Sequence, residues 1–156
     1  MGLAQIVKSL DMRLDHVVET VPAFYAAATF DMFAVTGGPV IIKAIIEYLD
    51  TAMTNVTTTT WNFETLALDA GAVAINAGAI GSVVVVPLDG TAKPASALGS
   101  QGPITVAAAT AFTTGFVCGL GNIDVTFATV MAAADRYSAH LVYQKLGRAS
   151  LVRPLF

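Results

Sequence analysis

Few side chains in this sequence could do chemistry, and their spacing sets up none. His16 and His140 are the only histidines, and Cys118 is the only cysteine. His16 lies in a charged N-terminal stretch, His140 inside "SAHLVYQ" and Cys118 inside the apolar run "GFVCGL". A nucleophile needs a base within hydrogen-bond reach, and no G-x-S-x-G elbow sets a serine up against either imidazole. One cysteine excludes an intrachain disulfide and a multi-cysteine metal site. Its apolar neighbours give it the character of a buried, inert thiol.

The carboxylates offer little more. On a helix, Asp11, Asp15 and Glu19 would line up at i, i+4 and i+8, a spacing that can face a hard cation. Lys8 and Arg13 stand among them, which is the pattern of a solvated charged face. "GLGNID" at 119–124 begins like a dinucleotide loop, but Asp124 stands where the third glycine belongs, and a strand pattern follows. The sequence therefore predicts no catalytic residue, no metal ligand and no cofactor.

Composition points towards contact instead. The chain has 156 residues, 55% hydrophobic and 12% charged, against about 25% charged in an ordinary globular chain. That length buries a core without staples. So sparse a charge leaves surface for another chain to cover, and a homo-oligomer, trimer or dimer, is expected. The net charge is −3 and the eight basic residues are scattered, so nucleic acid is excluded as a partner. The uncharged stretch 94–123 is interrupted by Gly, Pro, Ser and Thr throughout, so no membrane span is expected. The N-terminus has no continuous apolar h-region, and Ile6 stands where a myristoylation motif wants Ser or Thr.

Two kinds of element must position these residues. Leu3, Val7, Leu10, Leu14, Val17 and Val21 share one helical stripe that Pro22 ends. Residues 1–22 thus read as an N-terminal arm, helical or extended, and 23–156 as the main domain. From Ala27 the period is that of strands: "ATFDMFAVT", then Gly37-Gly38-Pro39, then "VIIKAIIEYL" as the second arm of a hairpin. Strict alternation puts Val40, Ile42, Ala44, Ile46 and Tyr48 towards a core, and Ile41, Lys43, Ile45 and Glu47 on the opposite face. Apolar anchors alternating with charges there suit a subunit contact.

Strands are also predicted in "TTTWNFETLAL", "GAVAIN", "SVVVVPL", "ITVAA", "TGFVCG", "IDVTFATV" and "SAHLVYQKL". Trp61 with Phe63, and Ile123 with Val125 and Phe127, are expected to point inward. About eight or nine strands separated by glycine, proline and polar turns predict an all-β fold, an antiparallel β-sandwich of jelly-roll-like form. The polar stretch 89–103 reads as its longest loop.

The segments "DMFAVTGGPVIIKAIIEYL" and "GNIDVTFATVMAAADRYSAHLVYQKL", with the Gly-, Ala- and Thr-rich middle between them, resemble small structural proteins of tailed bacteriophages and prophages. The resemblance covers residues 28 to about 155. It implies a non-enzymatic capsid decoration (cement) protein, made in the host cytoplasm and placed on the virion surface. Its partners would be the major capsid protein, or another virion protein, and its own copies. Leu3, Val7, Leu10, Leu14, Val17, Ile41, Lys43, Ile45 and Glu47 are the expected contact residues. A tail or fibre subunit is the alternative within the same class. A carbohydrate-binding module, stacking sugars on Trp61, Tyr137 and Tyr143, is the alternative outside it.

Overall fold

A computed structural model of the chain describes residues 14–55, 57–64, 66–69, 73–75, 79–86, 105–106 and 115–156. The described strands are β1 (Asp15–Glu19), β2 (Thr29–Thr36), β3 (Val40–Leu49), β4 (Thr58–Phe63), β5 (Leu66–Asp69) and β6 (Val73–Ala74). They continue with β7 (Val83–Val86), β8 (Thr105–Val106), β9 (Phe116–Cys118), β10 (Gly121–Phe127), β11 (Tyr137–Lys145) and β12 (Leu151–Pro154). Among the described residues there is no helix.

The strands form two sheets, packed face to face. Sheet A runs β1-β11-β3-β7-β8, with β9 also on β3; sheet B runs β12-β2-β10-β4-β5, with β6 also on β4. Every pairing is antiparallel except β7 with β8. Together the two sheets make a β-sandwich. The core lies between them, built from Met32, Phe33, Trp61, Phe63, Ile123, Val125 and Phe127 of sheet B against Ile42, Ile45, Leu49, Tyr137 and Leu141 of sheet A. Cys118 is buried there too.

Three expectations change. First, β2 and β3 belong to different sheets, so Gly37-Gly38-Pro39 is a corner of the sandwich and not a hairpin turn. Gly37 has φ 72° and Gly38 φ 152°, and a Cβ on Gly37 would collide with the Ala149 carbonyl. The corner therefore seats against the β11–β12 turn, where Leu146 N–H donates to Pro39 O at 3.3 Å.

Second, the arm that read as helical or extended is a sheet strand over Asp15–Glu19. Alignment with β11 gives its backbone groups partners that a lone helix would have to supply alone. Leu14 and Val17 therefore leave the helical stripe. Leu3, Val7 and Leu10 lie outside the described residues, as does the expected loop 89–103.

Third, the alternation of β3 breaks. Tyr143 pairs with Ile42 and Val142 with Ala44, which leaves Lys43 as an extra residue on the β3 side. Such a bulge shifts the side-chain phase by one position. Beyond it Ile45, Glu47 and Leu49 turn into the core, each 0% exposed, while Ile46 and Tyr48 turn out. Ile45 and Glu47 are therefore core residues, contrary to strict alternation. β2 carries a matching irregularity: Ile123 pairs with Phe33 and Asp124 with Asp31, so Met32 is the extra residue, and Met32 and Phe33 are both buried.

Candidate contact face

Register fixes which side chains share the outer face of sheet A, because directly paired residues point the same way. Asp15, Gln144, Ile41 and Val117 form one row across β1, β11, β3 and β9. Val17, Val142 and Ala44 form the next. Glu19, His140, Ile46 and Val85 form the third, and Ser138, Tyr48 and Val83 the last.

The centre of this face is aliphatic. Val17 is 66% exposed and Val117 54% exposed, while Ile41, Ile46, Val83 and Val142 are half-buried. Polar groups frame the aliphatic centre. Glu19 lies 3.7 Å from His140 Nε2, and His140 meets the edge of the Tyr48 ring at 6.3 Å. Lys43, the bulged residue, is half-buried beside Ile41.

The outer face of sheet B has the opposite character. Its rows are Thr29, Thr126 and Thr60, then Asp31, Asp124 and Asn62, then Arg153, Ala34 and Asn122. Their side chains bond one another: Thr29 with Thr126 at 2.8 Å, Asn122 Nδ2 donating to Asp31 at 2.9 Å, and Asn62 Nδ2 donating to Thr126 at 3.4 Å. Partial burial, then the facing Asp31 carboxyl and the more distant Glu64, push the Asp124 carboxyl up to about 6. Sheet B thus presents a hydrogen-bonded polar surface and sheet A an aliphatic one, on the same sandwich.

Of the expected contact residues, Val17, Ile41 and Lys43 share the outer face of sheet A, and Leu14 is exposed just before β1. Ile45 and Glu47 do not reach it. Ile46, Tyr48, Val117 and Val142 take their place. Val142 and Val117 were legible as alternating apolar residues in strands, but the sequence carried no sign of which strands would stand beside β3.

A polar cluster lies in the interior, around Glu47. Trp61 Nε1 donates to Glu47 Oε1 at 2.9 Å, and the Tyr137 hydroxyl donates to the same oxygen at 3.0 Å. Thr59 adds a side-chain hydrogen bond. Burial raises the Glu47 carboxyl, and these hydrogen bonds offset part of the rise. Burial and the neighbouring Glu47 raise the Tyr137 phenol in turn. Trp61 and Tyr137 are fully buried, and Tyr143 is 3% exposed, its ring stacked against His16 at 5.3 Å. None of the three rings expected to stack sugars is presented to solvent.

Among the described residues, no three His, Cys, Asp or Glu side chains gather as a metal group, and no helix is long and apolar enough to cross a membrane. No family model, curated protein or solved structure matches the chain.

Proposed function

We propose that the chain is a non-enzymatic structural protein of a tailed-phage virion, a decoration subunit that clamps a head shell and associates with its own copies through the outer face of sheet A. The observation that carries this reading is the contrast between the two outer faces. A partly exposed aliphatic face with a polar frame has the anatomy of a protein contact, whereas the Thr-, Asn- and Asp-lined face of sheet B suits water. The low charge of the whole chain agrees with a surface partly covered in its working state. The resemblance of residues 28–155 to phage structural proteins supplies the location, on the virion, with the major capsid protein as partner.

A decoration subunit works through contact area, and a β-sandwich supplies it as a rigid plate. On this reading Ile41, Ile46, Val117 and Val142 anchor the contact, and Lys43, Glu19 and His140 form part of its frame. The test is sedimentation of head shells assembled from a tailed-phage major capsid protein. The chain should co-sediment with the shells and raise their resistance to heat. Ile46→Lys, with its fold intact, should lose self-association. A folded wild-type chain that leaves the shells unbound and unprotected refutes the decoration role.

A further inference from the structure

The Glu47 carboxyl sits where the two sheets meet. It springs from β3 of sheet A and accepts from Trp61 on β4 of sheet B and from Tyr137 on β11 of sheet A. The groups that face it are neutral: the Trp61 indole and Thr59 hydroxyl from β4, and the Tyr137 phenol from β11. Its other inward neighbours across the ladder, Ala139 of β11 and Val84 of β7, carry no charge. The Tyr25 phenol lies beyond Tyr137, their ring centres 5.7 Å apart. Both phenols are neutral at any ordinary pH, since burial pushes Tyr25 up to about 12 and Tyr137 well above its usual value.

A bare carboxylate in such a place costs several kcal/mol unless a cation or a full set of donors compensates it, so a buried acid takes up a proton instead. As a neutral acid, Glu47 can accept through Oε1, as its bonds to Trp61 and Tyr137 require, and carry its proton on Oε2, which makes no hydrogen bond in the structure. The carboxyl group then joins the sheets with no net charge in the core.

We propose that Glu47 is a proton lock between the sheets: held neutral, it ties sheet A to sheet B, and losing its proton loosens the sandwich. The direction follows from linkage. The folded chain keeps this proton above the ordinary carboxyl value of 4.5, where the unfolded chain releases it. Between those two values the folded state binds more protons, so stability falls as pH rises. The contribution is complete below about 4.5 and is lost on the alkaline side. The proposal holds whatever the outer face of sheet A binds.

The test is urea unfolding of the full chain over a pH series, followed by the fluorescence of Trp61, the only tryptophan. The wild-type midpoint should decline from mildly acid to mildly alkaline buffer. Glu47→Gln keeps the shape, one acceptor and one donor but cannot ionise, so well above 6, where Asp124 no longer contributes a slope, its midpoint should hold steady and exceed wild type. Equal slopes in the two proteins, or no decline in the wild type, overturn the lock. A measurement on the unaltered chain guards against poor folding of the variant. Well above 6, where Asp124 has ionised, the folded protein should still show the infrared C=O stretch of a protonated carboxyl that unfolding abolishes. Absence of that band overturns the proposal equally.

Discussion

The bulge at Lys43 makes neighbouring isoleucines unequal, and a pair of alanine substitutions tests it directly. Ile45 is 0% exposed within the core cluster, and Ile46, the next residue, faces out beside His140 and Val85. Ile45→Ala deletes three carbon groups at about 0.8 kcal/mol each, roughly 2.4 kcal/mol of transfer free energy. A residual cavity of about 50 Å³ adds roughly 1 kcal/mol at about 24 cal/mol per Å³. The sum is about 3 to 4 kcal/mol. Ile46→Ala removes half-buried surface and leaves no cavity, so it should cost about 1 kcal/mol or less. The assay is urea unfolding at low protein concentration, where self-association contributes least. With a slope of about 2 kcal/mol/M, the Ile45 variant should lose about 1.5 to 2 M of midpoint and the Ile46 variant about 0.5 M or less. If Ile46→Ala costs as much as Ile45→Ala, the bulge is misplaced and the contact face with it.

Other consequences concern single polar groups. Asp135 is buried and ties two loops together, accepting from Thr54 Oγ1 at 3.2 Å and Ala132 N–H at 2.9 Å. Asp135→Ala should cost about 1 to 3 kcal/mol in chemical denaturation, because it strands buried donors. Asp124 keeps a proton up to about 6 in the folded chain against 3.8 ordinarily, so its contribution to stability is lost as pH rises through that interval. Asp124→Asn should therefore raise the urea midpoint at neutral pH. Solvent screening at this partly exposed site limits the gain to about 1 kcal/mol. Gly37→Ala should lower the thermal midpoint markedly, since it adds a Cβ against the Ala149 carbonyl at a φ of 72°. A differential scan on the folded variant measures that loss.

The sequence revealed the fold class and much of the core, because period-2 alternation reports burial wherever a strand runs regularly. Trp61, Phe63, Ile123, Val125 and Phe127 all point inward as their spacing predicts. Alternation failed in β3 because one inserted residue, Lys43, reverses the phase, and no residue type announces such a bulge. "GGP" announced a turn but not its partner strands: the same glycines serve a hairpin or a corner, and the sheets to which β2 and β3 belong are settled by long-range pairing. β1 was missed for a related reason. "DHVVE" belongs to a helical stripe in isolation, and only pairing with β11 makes it a strand. Glu47 read as a surface charge because Glu is rarely buried. Its partners, Trp61 and Tyr137, lie 14 and 90 residues away on other strands, so only the folded arrangement reveals the cluster.

The contact face is the central claim, and the solution mass of the intact chain tests it most directly. Light scattering in detergent-free buffer should give a dimer or trimer for the wild type and a monomer for a folded Ile46→Lys variant. A wild-type chain that remains monomeric at high concentration, or an Ile46→Lys variant that assembles as wild type does, would contradict self-association through the outer face of sheet A.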